Sequence, residues 1–574
     1  MKGKFDIVSR GRINWVLLFF LMTSLILIGR MFLLQIINYR EYVDAASRQH
    51  RLVEDIFSER GEIFLQDKNG NLIPSALNKI QKNLSASPRE IKDPTETSER
   101  LSKIVPLAKD DIFKKLSSVK DSYEVVLKDL DTAASDQISK LKVSGIFLEE
   151  EQKRVYPHAS LGAAILGFVS KDKDENEIGR YGVESFYEKE LSGRRGLFEG
   201  VKDAGGSWIA LGDRIIHPPK NGSKIVLTID YNIQLKTEQV LADILKKWGA
   251  VSGSILVIDP QTGRVLAMGV NPTFDPNEFF KVKDYGVFIN PLVESMYELG
   301  SVMKTVTMAG GLEEKVVTPE TTYTDPGVIQ IAGYKISNAD GKTHDLQTMT
   351  QVMEKSLNTG AVFVSQKLGH EKQLEYLKRF GFGVKTGIDL PGEVSGNISN
   401  LNSGRDVDFY TASFGQGIAI TPIQLSAAVS SIANGGRLIK PYIVERIIDE
   451  NGQATEIHPQ EIRKTISADT AEKLTKMLVS VVKNGYNDRA GIKGYFVAGK
   501  TGTAQIARKD GRGGYSDEVI HSFIGYAPAF NPKFLIFLQM NEPKAQFAAN
   551  TLPPFFKELG GYILNYYEVP PDTQ

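Results

Sequence analysis

An α+β architecture is predicted for residues 220–574, preceded by a β-rich domain and a single apolar anchor. Three observations predict it. Strand-like runs open the segment, at Lys224-Ile225-Val226-Leu227-Thr228-Ile229 and, as a hairpin, at Gly253-Ser254-Ile255-Leu256-Val257-Ile258-Asp259 and Arg264-Val265-Leu266-Ala267-Met268-Gly269. A long helical middle follows around Ser301, and strand-like runs return near the C-terminus. The two ends of the segment can therefore share one sheet, with helices covering it.

Taken in order, residues 13–28 carry no charge, and after Gly29-Arg30 the apolar run resumes as Met31-Phe32-Leu33-Leu34-Gln35-Ile36-Ile37. At about 1.5 Å per residue the combined segment can cross a hydrocarbon core of about 30 Å. Lys2, Lys4, Arg10 and Arg12 precede it. The positive-inside rule then makes residues 1–12 a cytoplasmic tail and 13–37 a transmembrane anchor, with the remainder extracytoplasmic. No small-x-small cleavage site follows the run, which argues against a cleaved signal. Arg30 is placed near the outer interface, where its side chain can snorkel.

Residues 39–51 are expected to continue the membrane helix outward. Glu59-Arg60-Gly61-Glu62-Ile63-Phe64 and Asp67-Lys68-Asn69-Gly70-Asn71-Leu72-Ile73 read as two strands joined by a Gly/Asn turn. Residues 86–143, rich in Lys, Asp, Glu and Ser with helical spacing of Ile, Leu and Val, read as a surface subdomain of short helices. A β-rich stretch returns through Arg154-Val155-Tyr156-Pro157, Leu166-Gly167-Phe168-Val169 and Gly182-Val183-Glu184, and Arg194-Arg195-Gly196 turns into a further hairpin. Pro218-Pro219-Lys220-Asn221-Gly222 marks a boundary, so residues 38–219 form an N-terminal domain and 220–574 the C-terminal one. Residues 232–248 make an amphipathic helix, and the tail Val569-Pro570-Pro571-Asp572 is expected to fray.

Composition narrows the chemistry. A chain of 574 residues is too long for one core. Lys+Arg and Asp+Glu both number 69, so charge gives no case for a nucleic-acid partner. The absence of cysteine removes disulfides, Cys-ligated metals and thiol nucleophiles. The seven histidines, at 50, 158, 217, 344, 370, 458 and 521, lack paired ligand spacing, so no metal and no other cofactor is expected.

The chemistry centres on Gly300-Ser301-Val302-Met303-Lys304. A serine three residues before a lysine at a helix start sets the amine beside the hydroxyl on one face, where it can take the hydroxyl's proton. Ser356-Leu357-Asn358, at a turn between helices after a helical run over residues 346–355, can point a hydroxyl and an amide into one cleft. Lys500-Thr501-Gly502-Thr503 ends the apolar, strand-like run Tyr495-Phe496-Val497-Ala498-Gly499; it offers a cation and hydroxyls to a carboxylate, and Gly502 leaves room for a substrate backbone. Each pattern has copies in this chain: Ser117 with Lys120, Ser139 with Lys142, Ser170 with Lys173, Ser395-Gly396-Asn397 and Lys385-Thr386-Gly387. Those copies sit in charged segments or Gly-rich turns and read as solvated surface and turn chemistry. The stretch from Gly494 to Thr501 also satisfies the phosphate-binding loop formula, but its spacer Tyr-Phe-Val-Ala is a strand sequence and Gly502 stands where a helix should begin.

The three motifs in this order, inside residues 220–574, resemble the penicillin-binding proteins, above all the class B monofunctional transpeptidases of the division-specific type. Arg60-Gly61-x-Ile63, Asp259-Pro260-x-Thr262-Gly263, Thr386-Gly387-Ile388-Asp389-Leu390-Pro391-Gly392-Glu393, Gly415-Gln416-Gly417, Thr421-Pro422-x-Gln424-Leu425, Ala433-Asn434-Gly435-Gly436 and Ser522-Phe523-Ile524-Gly525-Tyr526-Ala527-Pro528 extend the match. Leu299 and Thr305 depart from it, standing where the family usually has prolines, and residues 39–220 are too few and of the wrong pattern for a glycosyltransferase. The resemblance implies a serine β-lactamase-like transpeptidase domain, a sheet flanked by helices, behind a pedestal or dimerisation-type domain. It implies a D,D-transpeptidase that cross-links peptidoglycan stem peptides ending in D-Ala-D-Ala, in septal wall synthesis, with β-lactams as inhibitors. By the same resemblance Ser301 attacks with Lys304 as base, Ser356 and Lys500 relay protons and Asn358 holds the peptide amide. Backbone N–H groups of Ser301 and Thr503 form the oxyanion hole, and Thr501, Gly502 and Thr503 form the substrate-binding strand. The membrane, a SEDS-type glycan polymerase and other division proteins are the implied partners. The alternatives are an elongation-type transpeptidase, a D,D-carboxypeptidase or β-lactamase-like hydrolase in which water replaces the amine, and a non-enzymatic β-lactam sensor or division scaffold.

Overall fold

The computed structural model describes residues 5–38, 51–56, 58–118, 122–173, 176–194, 196–201, 215–485, 487–508 and 514–572. The chain divides into two compact units, Met1–Glu59 with Gly193–Asn221, and Arg60–Ser192 with Gly222–Gln574.

In the first unit, helix Phe5–Phe32 runs into a π-helical turn, Leu33–Ile37. Among the described residues this is the helix long and apolar enough to cross a membrane, over Asn14–Ile37 with mean hydropathy 2.3 and none of that window buried against protein. The unit also holds an antiparallel sheet of Arg51–Ile56, Gly196–Val201 and Ile215–His217. The helical extension read over residues 39–50 lies outside the described residues, and Arg51 already belongs to a strand.

The second unit opens on β1 (Ile63–Gln66) and β2 (Leu72–Ala86), joined by a turn that Asp67 closes by accepting from the backbone of Asn69 and Asn71 at 2.8 and 2.9 Å. β2 pairs with β3 (Glu124–Leu130) and β4 (Ile146–Val155). The region read as short helices does contain Pro94–Ser102, Lys109–Leu116 and Thr132–Leu141, but β3 runs between them. Strand and helices share a core of Leu84, Leu101, Ile112, Leu116, Val126 and Ile138, which is what stabilises a strand with charged, locally ambiguous flanks.

Gly182-Val183-Glu184 is also not a strand but the start of a helical turn, Gly182–Phe186. Tertiary charge explains the difference. Glu184 is fully buried and meets Arg60 Nη2 at 2.7 Å, Arg154 Nε at 2.8 Å and the Tyr156 hydroxyl at 3.1 Å. The arginines outweigh the burial and hold its carboxyl below the usual range.

β5 (Lys224–Asp230) pairs parallel with β1 and antiparallel with Val444–Ile448. Asp230 accepts from the backbone of Asn232 and Ile233 and so caps α1 (Tyr231–Trp248). The hairpin β6 (Ser252–Ile258) and β7 (Val265–Asn271) follows. The helical middle supplies α2 (Lys304–Glu313), α3 (Met349–Glu354), α4 (Asn358–Leu368), α5 (Pro422–Ala433) and α6 (Ala468–Ser480). Residues 346–348, read as part of the helix before Ser356, belong instead to the strand Asp345–Thr348, and Thr348 starts α3 through a capping box with Gln351.

The chain then returns as β8 (Ala498–Ala507), β9 (Tyr515–Ala527) and β10 (Phe534–Asn541), followed by α7 (Pro553–Tyr566). The central sheet has the antiparallel order β7-β6-β10-β9-β8, so early and late strands do share one sheet. Helices α1 and α7 pack on this sheet and on each other, while α5 and α6 join it to α2. The tail does not fray: Tyr495 donates to Val569 O at 2.5 Å, and Asp572 receives the Phe496 N–H and donates its own N–H to Gly494 O. Proline keeps that segment extended, and the backbone hydrogen bonds hold it against residues 494–496.

Replacing Glu184 by alanine removes the carboxylate that Arg154 pairs with and leaves Arg60 with Glu188 alone, and a loss of about 3 kcal/mol in unfolding free energy is expected. Chemical denaturation of the detergent-solubilised protein checks this, and Glu184→Gln should lose less.

Candidate active site

Ser301 lies in a 3₁₀ turn, Gly300–Met303, that passes directly into α2 at Lys304. The tight turn sets Lys304 Nζ 3.0 Å from Ser301 Oγ. Gly300 has φ +64, and a Cβ there would stand 2.7 Å from Thr503 O. A Cβ on Gly502 would stand 2.3 Å from Leu299 O, and one on Gly415 2.2 Å from Gly300 O. Three backbones thus meet where side chains do not fit. Gly502 accordingly lets β8 lie against the turn that carries Ser301, a role for its missing side chain inside the protein itself.

Two departures from the family pattern have local replacements. Leu299 is 1% exposed and its carbonyl accepts from Ser522 Oγ at 3.3 Å. Thr305 is buried, and its hydroxyl donates to Val302 O at 2.7 Å, tying the turn to the helix.

Ser356 ends the short connection from α3, with φ +57, and Asn358 opens α4. Lys304 Nζ reaches Ser356 O at 2.6 Å, Asn358 Oδ1 at 2.8 Å and Ser356 Oγ at 3.3 Å. Lys500, on β8 at the edge of the sheet, donates to the same Ser356 Oγ at 2.9 Å and to Thr501 O at 3.2 Å. The strand starts at Ala498, later than the apolar run at residue 495 predicts, so the Lys-Thr-Gly segment lies within it. Thr503 Oγ1 accepts the Ala548 N–H at 3.1 Å, which leaves its own proton to donate. Opposite Thr503, His521 is buried, with Nδ1 3.1 Å from Thr551 Oγ1, and burial lowers it to about 4, keeping the ring neutral.

Both lysines are fully enclosed, Lys304 1% and Lys500 0% exposed. Burial, with repulsion from Lys500 added, pushes Lys304 well below the ordinary lysine range, and burial lowers Lys500 to about 7. Two ammonium groups about one hydroxyl repel, which adds to burial in favouring a neutral Lys304. A neutral amine has two N–H donors and one lone pair. The two shortest contacts of Lys304 are to oxygens that only accept. The orientation of the Asn358 amide is fixed because its Nδ2 donates to Ser337 O at 2.8 Å. Both donors are thus committed, and the lone pair is left for the proton of Ser301. This is the chemistry of an activated serine for acyl transfer.

The look-alike motifs are elsewhere and otherwise occupied. Ser139 Oγ donates to Ser135 O at 2.9 Å, Ser117 Oγ to Lys114 O, and Ser170 Oγ accepts from Arg180; Lys120 lies outside the described residues. Thr386 and Gly387 wrap the carboxylate of Glu393, and Asn397 bridges to Ala419. β8 continues as strand through Thr501, so the phosphate-loop formula has no helix to follow it. Among the described residues no group of three His, Asp or Glu is placed to hold a metal.

Some site residues had no sequence signal. Ser337 contributes a main-chain carbonyl, which any residue could supply. Tyr515 donates to Glu298 Oε2 at 2.8 Å, tying β9 to the residue before Leu299, across a separation of 217 positions that no spacing rule connects.

Comparison with known proteins places this geometry. Residues 253–559 match the penicillin binding protein transpeptidase domain, and residues 55–227 the penicillin-binding protein dimerisation domain. The chain is 33% identical to stage V sporulation protein D of Bacillus subtilis over 96% of its length and 84% of that protein's. It is 28% identical to the probable peptidoglycan D,D-transpeptidase PenA of Neisseria meningitidis, over 99% of this chain and 95% of the relative. The crystal structure of penicillin binding protein 3 from Mycobacterium tuberculosis complexed with ampicillin covers 91% of this chain and 98% of its own, with TM-score 0.70 and 27% identity. With a transpeptidase domain matched over more than half its length and a dimerisation domain ahead of it, this chain belongs to the class B penicillin-binding proteins.

Proposed function

We propose that Ser301 is the nucleophile, and Lys304 its general base, of a peptidoglycan D,D-transpeptidase. The observation that carries the reading is the commitment of both Lys304 N–H groups to Ser356 O and Asn358 Oδ1, which turns the lone pair to Ser301. The naming of PenA as a probable peptidoglycan D,D-transpeptidase and the ampicillin complex of the mycobacterial structure support it.

In this reading Ser301 Oγ bonds to the carbonyl carbon of the penultimate D-alanine as its proton passes to Lys304. Backbone N–H groups of Ser301 and Thr503 hold the oxyanion. Collapse breaks the C–N bond, and the proton travels from Lys304 through Ser356 to the departing D-alanine nitrogen. Charged Lys500 with Thr501 and Thr503 binds the terminal carboxylate, and Asn358 holds the peptide amide. An amine of a second stem peptide then attacks the ester, its proton returning through the same groups to Ser301. A β-lactam follows the first half and stops as an ester on Ser301.

The boundaries at 12 and 37, a cytoplasmic N-terminus and an extracytoplasmic catalytic domain belong to the same proposal, supported by the apolar helix Asn14–Ile37 and the basic residues before it; so does the boundary at 219, supported by a dimerisation-domain match that ends at 227 and a transpeptidase match that begins at 253. So do septal synthesis and membrane partners that include a SEDS-type polymerase.

A fluorescent penicillin should label the wild type and leave Ser301→Ala unlabelled, and Lys304→Met should slow labelling about 10²- to 10⁴-fold. A long-lived adduct is the transpeptidase outcome; rapid release would favour a hydrolase, and no adduct on folded protein would favour the scaffold. The second-order acylation rate should rise with pH as Lys304 loses its proton and fall as Lys500 loses its charge near about 7. Because Lys500 lowers Lys304, Lys500→Met should move the acid limb to higher pH; a stationary limb in stopped-flow acylation would contradict the assignment.

A further inference from the structure

Behind Asn358, on the side away from Lys304, lies a buried polar cluster that the three motifs do not include. Asp325 is 1% exposed and ends the strand Thr322–Asp325. Its Oδ1 accepts from Thr359 Oγ1 at 2.6 Å and from Gly327 N at 2.9 Å. Its Oδ2 accepts from Asn338 Nδ2 and from His344 N, both at 2.9 Å. These four donors hold the carboxyl below its usual range against the effect of burial. With Nδ2 of Asn338 held by the carboxylate and by Lys342 O at 3.2 Å, its Oδ1 must face the other way, and there it accepts from Thr359 N at 3.3 Å. Ser337, the residue before it, supplies the carbonyl that takes Asn358 Nδ2.

The connection is therefore stepwise. Asp325 orients the Asn338 amide and the Thr359 hydroxyl; these hold the first turn of α4 against Ser337-Asn338; and that contact leaves Asn358 Oδ1 turned to Lys304. A flipped Asn358 amide would present an NH₂ to the amine, donate to its lone pair and compete with Ser301 for it.

We propose that Asp325 is a positioning residue for the Ser301–Lys304 pair, acting through Asn338 and Thr359 to lock the Asn358 amide with its oxygen toward Lys304. The proposal rests on the reading of Lys304 as base. Thr359 is the sharper probe of it, since Val keeps its shape and removes only the hydroxyl, while Ser keeps the hydroxyl.

The test uses the full chain in detergent, with benzylpenicillin as probe and the second-order acylation rate followed across roughly pH 5 to 10. Asp325→Asn and Thr359→Val should lower the maximal rate about ten- to a hundredfold. They should also move the acid limb to lower pH, because loosening an acceptor that favours the ammonium form lowers Lys304 further. Lys500, the charged group acting on Lys304, is unchanged in every variant. Thr359→Ser should restore wild-type rate and limb. A Thr359→Val protein with wild-type melting temperature, rate and acid limb overturns the proposal, as does an equal loss in Thr359→Ser. Should Asp325→Asn fail to fold, the Thr359 pair still decides. An adduct that survives Ser301→Ala overturns the base reading and this proposal together, whereas an unaltered Thr359→Val overturns this proposal alone.

Discussion

Two lysine side chains buried about one serine hydroxyl are the constraint on which the rest of this structure depends. Lys304 and Lys500, both enclosed, reach the half-buried Ser356 Oγ at 3.3 and 2.9 Å. Two ammonium ions so placed repel, and burial of both side chains weakens the screening between them. Burial of two amines about one hydroxyl favours the neutral form of Lys304, and a neutral amine beside a serine can act as a base. Every main-chain carbonyl and amide around Lys304 then matters, because each decides where one lone pair points.

The scaffold meets this demand by bringing residues about 50 and 200 positions apart to one edge of the sheet. The 3₁₀ turn Gly300–Met303, running into α2, sets Lys304 against Ser301 by local helical geometry. The other two groups need tertiary packing: α4 starts where Asn358 must be, and β8, the edge strand of the five-stranded sheet, carries Lys500. Backbone approach at Gly300, Gly415 and Gly502 lets these pieces close. At positions 299 and 305, which lack the prolines of the family pattern, Ser522 donates to the Leu299 carbonyl and Thr305 bonds back to Val302, so side chains restrain the backbone there.

The same logic holds away from the site. Glu184 lies between Arg60 and Arg154, residues that join the start of the second unit to the end of β4, and a turn that reads as strand becomes helical to present that carboxylate. In both places a buried charge is accepted only with partners from distant segments, and local propensity gives way to the partners.

Much was legible in the sequence. The strand runs at 224–229, 253–259 and 264–269, the helix after Asn232 and the long apolar N-terminal helix follow from periodicity and length, which are local properties. The three motifs were legible through spacing and order, since Ser301 and Lys304 are neighbours on any helix and the look-alikes at 139, 170, 386 and 395 carry the wrong flanks. What sequence did not reveal was long-range: β3 inside a charged segment, the docked C-terminal tail, the helical turn at Glu184, and the Asp325–Asn338–Thr359 cluster. Each depends on a hydrogen bond or apolar contact between positions far apart in the chain, and no local pattern records such a contact. The sequence by itself determined which groups could react. Only the tertiary structure decided that Lys304 is pushed well below the ordinary lysine range, because that follows from its burial and from the approach of Lys500.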